Sequence, residues 1–115
     1  MEVGDIVIVG VGGAGNNALR SFMKLNIKGA RCVAINADSE PLKRASAHEK
    51  LLVGEDISAG LGTGGDSQFG RMLALHDADK ISRVLGPKPK VVVIVAGMGG
   101  GTGTGVSPVV AQIAQ

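Results

Sequence analysis

The sequence predicts an α/β domain with a Rossmann-like parallel sheet layered between helices. Short apolar runs alternate along the chain with segments whose apolar residues recur at helical spacing. Fourteen of the 19 glycines lie in three clusters, at residues 10–15, 60–65 and 97–105. Each cluster comes after a run with the composition of a strand, and parallel sheets bind ligands beyond the carboxyl ends of their strands. We therefore expect the three clusters to meet in one binding crevice.

Four strands follow from short apolar runs, and the third of these runs is the weakest. They are predicted at residues 6–9, 32–35, 50–53 and 91–96. Between the first two, Ala18, Leu19, Phe22 and Met23 recur at helical spacing and predict a helix over about residues 15–25. A short helix from Ser39 to about Ala45 follows the second strand, with Pro41 in its first turn, where proline is tolerated.

The second half of the chain contains two further predicted helices. A long one runs from Asp66 or Ser67, either of which suits its N-cap, to about Leu85, before Pro87 and Pro89. The glycine loop at 97–105 then leads to a last helix over residues 106–115, which Pro108 initiates. This helix has no C-cap signal, so we expect the domain to be truncated within it.

The composition excludes several classes of protein. The net charge is only +2, Trp and Tyr are absent and there are two Phe, which argues against a nucleic-acid surface. The single Cys32 excludes an internal disulfide and lies in a predicted strand, where a buried, inert thiol is expected. No apolar run approaches the roughly 20 residues of a membrane span, and no signal peptide is evident, so a cytoplasmic protein is expected.

The third glycine cluster has the pattern of an anion site. A buried strand, a glycine loop and a helix start follow one another, and the free N–H groups of a helix start attract phosphate. Thr102 and Thr104 add hydroxyl donors. The alternative, a flexible linker, fits poorly because regular elements flank the cluster on both sides.

The first cluster leaves two functions open. Gly10, Gly12 and Gly15 form a Gly-x-Gly-x-x-Gly pattern, and the acidic Asp38 lies 23 residues after Gly15. By itself this pattern is the fingerprint of a Rossmann-type NAD(P)-binding module. The amides of Asn16 and its neighbour at the helix start, and the second phosphate-type loop, favour a different nucleotide. Tight strand–helix packing would require fewer glycines.

Three segments also resemble a known family. Gly-Gly-Gly-Thr-Gly-Thr-Gly at 99–105 resembles the signature loop of the tubulin/FtsZ family of GTPases, and its flanking residues are more similar to the prokaryotic FtsZ branch than to tubulin. Gly-Gly-Ala-Gly-Asn at 12–16 is similar to the loop of that branch that holds the nucleotide phosphates. Asn-Ala-Asp at 36–38 is similar to its second loop, Asn-Thr-Asp.

The resemblance implies the strand order 3-2-1-4, the first four strands of a GTPase domain, so that residues 1–115 are its N-terminal portion. It implies GTP or GDP as ligand, with Mg²⁺ as a candidate beside Asn36 and Asp38. The implied nucleotide-binding residues are Gly12, Gly13, Ala14, Gly15, Asn16, Asn36, Asp38, Gly62, Gly65, Gly99, Gly100, Gly101, Thr102, Gly103, Thr104 and Gly105. No residue is assigned a catalytic role, and no set of metal ligands is assigned.

The second cluster resembles the loop that closes over the γ-phosphate, but it departs from FtsZ after the glycines. Gly65-Asp66-Ser67 stands where FtsZ has an Ala-Asn-Pro run. Asp66 therefore either caps the following helix or reaches a metal ion. This departure predicts a divergent FtsZ-like branch.

The family resemblance implies a filament-forming cytoskeletal GTPase of cell division or cell shape. The guanine pocket and the catalytic loop of the family come from later residues, so the chain alone is expected to hold the phosphates without turning over GTP. The alternatives are the NAD(P)-binding module and a non-hydrolysing assembly half-domain. Self-association is expected, as filaments of the whole protein or as strand or helix exchange through an exposed strand at 91–96.

The remaining polar residues are interpreted as structural. His48 and His76 have no partner at metal-ligand spacing, so both are expected to be solvated. Residues 77–80 are interpreted as a helix face. The side chains of Arg20, Lys24, Lys43, Arg44 and Arg71 are interpreted as surface charges.

Overall fold

A computed structural model describes residues 2–97 and 100–115. These residues contain four strands and six helices. In chain order they are β1 (Ile6–Val11), α1 (Gly12–Leu25), β2 (Ala30–Asn36), α2 (Ser39–Arg44), β3 (Glu49–Leu52), α3 (Glu55–Ser58), α4 (Ser67–His76), α5 (Ala78–Leu85), β4 (Val91–Ala96) and α6 (Gly101–Ala114).

The four strands form one parallel sheet in the order β3-β2-β1-β4, which confirms the predicted fold class. Ile6 pairs with Ala30 of β2 on one side and with Val91 of β4 on the other, so the strand starts are aligned. The chain moves outward from β1 to β3 and then returns to the other side of β1. Such a switch in strand order opens a crevice at the carboxyl ends of the strands.

Alternating side chains of the strands fill a core on each face of the sheet. Val7, Val9 and Ile35 face α4, α5 and α6, where they contact buried residues such as Leu73 and Val106. Residues of opposite parity, including Ile8 and Cys32, pack with Leu19 of α1 and Leu42 of α2. Cys32 is 2% exposed, and this burial raises the pKa of its thiol, as expected for an inert cysteine.

Two glycine clusters predicted as loops are largely helical. α1 begins at Gly12 rather than near residue 15, and α6 begins at Gly101 rather than at residue 106. Thr104 already donates its backbone N–H to Gly100 O at 3.0 Å. Pro108 consequently lies inside α6 and does not initiate it. Packing of these glycines against neighbouring elements, described below, offsets their low helix propensity.

The long helix predicted to end near Leu85 is two helices. The chain turns at Asp77, which is 4% exposed and whose Oδ2 accepts a hydrogen bond from the backbone N–H of Gly54 at 2.7 Å. Residues 77–80, predicted as one helix face, therefore consist of this buried turn and the first residues of α5. α3 was not predicted from the sequence at all.

Both histidines are exposed, as predicted, but each also has a hydrogen-bond partner, and His76 lies beside two carboxylates that the sequence spacing did not indicate. His48 Nδ1 accepts the backbone N–H of Cys32 at 2.8 Å. His76 Nε2 lies 3.0 Å from Asp56 Oδ2. No helix in the described part of the chain is long and apolar enough to cross a membrane.

Candidate functional site

A cleft of about 350 Å³ lies at the carboxyl ends of the strands. The segments that follow all four strands contribute to its walls, as the topology predicts. Eight of the predicted site residues line it: Gly13, Asn36, Asp38, Gly62, Gly65, Gly100, Gly101 and Thr102.

Two helix N-termini meet at this cleft. α1 begins beside Gly13 and α6 beside Gly100, and neither first turn contains an acidic residue. Gly12 has a φ of +76°, and a Cβ on it would lie 3.1 Å from the backbone nitrogen of Gly103. Only glycine permits both this conformation and this approach. The positive ends of two helix dipoles, with their free N–H groups, therefore point to one place, which suits a polyanion.

Two buried asparagines lie at the base of the cleft, and of the two only Asn36 lines it. Asn16 donates from Nδ2 to Gly10 O at 2.8 Å and to Ile35 O at 3.3 Å. Asn36 Nδ2 donates to Asn16 Oδ1 at 2.9 Å, and Asn36 Oδ1 accepts from the backbone nitrogens of Ala37 and Asp38. This network joins the ends of β1 and β2. Asn16 thus has a structural role, and its contact with a nucleotide stays a prediction.

Asp38 is the acidic residue on the cleft wall. Its Oδ1 accepts from the backbone N–H of Glu40 at 3.1 Å and so caps α2. Backbone hydrogen bonds from Ser39 N to Gly60 O and from Gly62 N to Ala37 O join the second glycine cluster to this turn. The carboxylate of Asp38 consequently faces the same cleft as the helix N-termini. A divalent cation bound there would offset the repulsion between the Asp38 carboxylate and a phosphate group.

Several predicted site residues face neighbouring elements rather than the cleft. A Cβ on Gly15 would meet Val95 O, one on Gly103 would meet Gly97 O, and one on Gly105 would meet Ser67 O. Gly12, Ala14, Asn16 and Thr104 are likewise not among the residues that line the cleft. Gly99 lies outside the described residues. Their nucleotide contacts stay predictions, and the glycines also have packing roles.

The sequence interpretation missed some residues that line the cleft and two arginines that line a neighbouring cavity. Thr63, Gly64, Leu61 and Pro41 also line the cleft. Gly13 also lines an adjoining cavity of about 310 Å³. Arg20 and Arg44, which were interpreted as surface charges only, line this second cavity too. Arg20 lies two helical turns after Gly13 on α1, so helical periodicity indicates that both share a face.

Asp66 resolves the ambiguity of the second cluster. Its Oδ1 accepts from the backbone nitrogens of Gln68 at 2.9 Å and Phe69 at 3.2 Å. These bonds confirm the capping alternative, since they satisfy free donors at the start of α4.

The fold is a parallel α/β domain with a cleft at the switch in strand order. The chain belongs to the tubulin/FtsZ family, because the family model of the GTPase domain matches residues 5–115. This membership confirms the resemblance carried by the glycine clusters.

Relatives in the family agree in sequence and structure. The chain is 48% identical to cell division protein FtsZ 2 of Haloferax volcanii over 116 aligned positions, which cover 99% of this chain and 29% of that protein. An empty FtsZ dimer of M. jannaschii superimposes with a TM-score of 0.89 at 44% identity, covering 94% of this chain and 31% of the other. A GTPγS-bound protofilament of CetZ2 from Haloferax volcanii gives 0.80 at 31% identity, covering 97% and 35%. The chain thus spans about a third of the length of these relatives.

Proposed function

We propose that this chain is the GTP-binding, N-terminal part of an FtsZ-like, filament-forming GTPase that acts in cell division or cell shape in the cytoplasm. One observation carries the proposal: two glycine-rich helix N-termini, of α1 and α6, converge on one cleft. Family membership supports GTP and GDP as the ligands, since the matched family model is that of a GTPase domain.

In this proposal, each wall of the cleft contacts a different part of the nucleotide. The phosphates lie against the N–H groups near Gly13 and Gly101, and the segment 62–65 covers the terminal phosphate. Asp38 is placed to hold a Mg²⁺ ion or a ribose hydroxyl. The guanine pocket and the catalytic carboxylates of the family lie beyond the matched portion. We therefore expect weak binding, and phosphate release from the chain alone should stay at the buffer blank.

The second candidate is a Rossmann-type NAD(P)-binding module. The strand order 3-2-1-4 occurs in that fold too, so the sheet alone does not choose between the two. The glycine-rich start of α6 favours GTP, because a dinucleotide fold needs one phosphate-binding helix N-terminus and this cleft has two.

The test uses two substitutions that the fold accommodates. A Cβ on Gly13 or on Gly100 has no heavy atom within 4 Å, so Gly13→Val and Gly100→Val should fold normally while their branches occupy the phosphate position. Isothermal titration of the chain with GTP, GDP and NADH is the measurement. Each variant should bind GTP roughly tenfold more weakly or worse, as expected when a backbone donor is blocked. Ala111→Val, on an exposed position of the far end of α6, is the matched control.

Gly103→Val is unsuitable for this purpose, because its Cβ would collide with the carbonyl oxygen of Gly97 and loss of binding would reflect misfolding. Binding of NADH with no response to GTP or GDP would establish the second candidate. GTP binding that survives in both cleft variants would refute the assigned phosphate position.

A further inference from the structure

A second group of polar side chains lies outside the cleft, where α3 meets the junction of α4 and α5. It consists of Asp56, His76 and Asp77, and it is called the α3–α4 cluster here. Their potential ligand atoms all lie within 4.8 Å of one another. The proposed nucleotide site uses none of these residues.

The distances in the α3–α4 cluster suit one bound ion. His76 Nε2 is 3.0 Å from Asp56 Oδ2 and 3.9 Å from Asp77 Oδ1. Two ligands on a tetrahedral ion with bonds of about 2.0–2.2 Å lie roughly 3.3–3.5 Å apart. The two distances from His76 bracket that value, and the two carboxylate oxygens lie within 4.8 Å of each other. The side chains of Asp56 and His76 are 64% and 44% exposed, so small rotations bring the atoms to it.

Asp77 is the fixed member of the cluster. Its side chain is only 3% exposed, and Oδ2 is held by the backbone N–H of Gly54 at 2.7 Å. Its other oxygen, Oδ1, faces His76. Metal-binding carboxylates are commonly oriented by such a hydrogen bond to the oxygen that does not bind the ion.

The charged groups in and beside the α3–α4 cluster would compete with a bound ion. His76 Nε2 and Asp56 Oδ2 form a hydrogen bond at 3.0 Å, so a bound ion would have to displace the proton on Nε2. Lys80 Nζ lies 3.9 Å from Asp77 Oδ1 and is the competing cation. Its side chain is half exposed and flexible, so it can move into solvent when another cation binds.

We propose that Asp56, His76 and Asp77 form a site for a divalent transition metal ion such as Zn²⁺. One imidazole nitrogen and two carboxylate oxygens are ligands that suit Zn²⁺, whereas Mg²⁺ favours oxygen ligands alone. Water would complete the tetrahedron on the exposed side. An ion there would join α3 to the end of α4. Because α3 leads through Ala59 into residues 60–65, the ion would also restrain a wall of the cleft.

Calorimetric titration of the 115-residue chain with Zn²⁺ tests the proposal. Visible absorption of bound Co²⁺ reports the ligand geometry independently. Asp56→Asn and His76→Gln change two exposed side chains, and each should weaken binding of a single ion roughly 10–100-fold. Asp79→Asn and His48→Gln are the matched controls, since they remove a nearby exposed carboxylate and the other histidine; both should bind as the parent does.

Three results would overturn the proposal. One is the absence of any binding heat at millimolar Zn²⁺, which would leave His76 and Asp56 as an ion pair only. Another is binding that survives both cluster substitutions. The third is binding lost in His48→Gln, which would place the ion beside Cys32 instead. Nucleotide titrations do not enter these outcomes, so the result is independent of the proposed function.

Discussion

Two asparagine side chains hold the ends of β1 and β2 together beneath the cleft. Asn16 is 2% and Asn36 is 1% exposed, so their amides cannot replace lost partners with bulk water. Each hydrogen-bonding group of Asn36 has a partner, either Asn16 or a backbone N–H of the following turn. A buried polar group left without a partner is costly, and the pair is therefore sensitive to a single substitution.

Asn36→Ala should lower the free energy of unfolding by about 1–3 kcal/mol. It removes the donor to Asn16 Oδ1 and the acceptor for the backbone nitrogens of Ala37 and Asp38. Urea denaturation followed by circular dichroism measures the change. Asn17→Ala, at an exposed neighbouring position, is the control and should change little. Equal stability of the two variants would mean that water satisfies the network.

Cys32 should react slowly with thiol reagents in the folded chain. It lies on β2 at 2% exposure, and burial raises the pKa of its thiol. A raised pKa lowers the fraction of reactive thiolate at every pH below it. At pH 8, reaction with a disulfide reagent should be at least about tenfold slower than in denaturant. Equal rates before and after denaturation would show that β2 opens readily.

At the scale of the elements, the glycines of α6 are packing residues as well as candidate ligand contacts. A Cβ on Gly101 would meet the Thr63 side chain, one on Gly103 the Gly97 carbonyl, and one on Gly105 the Ser67 carbonyl. Gly70 of α4 approaches the Gly101 carbonyl from the other helix. The second glycine cluster, the segment after β4 and helix α4 therefore enclose the first turns of α6. These contacts stabilise a helix that its own glycine-rich sequence disfavours.

Two glycine-to-alanine substitutions should change stability in opposite directions. Gly105→Ala places a methyl group against the backbone of α4 and should destabilise the fold by about 1–3 kcal/mol. Gly13→Ala adds a methyl group with open space around it in α1, so the higher helix propensity should stabilise the fold by up to about 1 kcal/mol. Thermal unfolding of both variants is the measurement. Destabilisation of equal size at the two positions would contradict the packing described here.

The elements differ in how far the sequence predicts them. Continuous apolar runs with β-branched residues predict β1, β2 and β4. β3 contains no β-branched residue and is exposed or half-buried, so its pattern in the sequence is weaker. The starts of α1 and α6 are missed, since glycine clusters suggest loops until tertiary packing is known. At the break between α4 and α5, Asp77 accepts a hydrogen bond from the backbone N–H of Gly54, a contact between distant residues that the local sequence does not show. For the site, topology predicts the convergence of the clusters. It does not separate glycines that line the cleft from those that pack.

For the molecule as a whole, β4 is an edge strand. Within residues 2–97 and 100–115, it pairs with β1 on one side, and no strand pairs with its other side. Val91 and Val93 are 48% and 40% exposed. An apolar strand with unpaired backbone groups is a template for further pairing.

The 115-residue chain should therefore self-associate, by edge pairing or by exchange of β4 or α6 between copies. Light scattering behind a sizing column at concentrations of tens of micromolar measures this. Val93→Lys should shift the population towards monomer, because a charge on an edge strand disfavours pairing. Val3→Lys, which changes an 81% exposed valine away from the sheet edge, is the control. A monomer with protected amide protons over 91–96 would refute the prediction.

The close packing of α6 has a consequence for how the family motif is interpreted in other sequences. Gly103 and Gly105 are required by the fold itself, whereas Gly13 and Gly100 have open space around them and face the cleft. A descendant that had lost its nucleotide would still be selected to keep the first pair, while the second pair would be free to vary. Retention of the glycine signature alone therefore does not demonstrate nucleotide binding. Replacement of glycine by a larger residue at position 13 or 100 is the change that would inform about nucleotide binding.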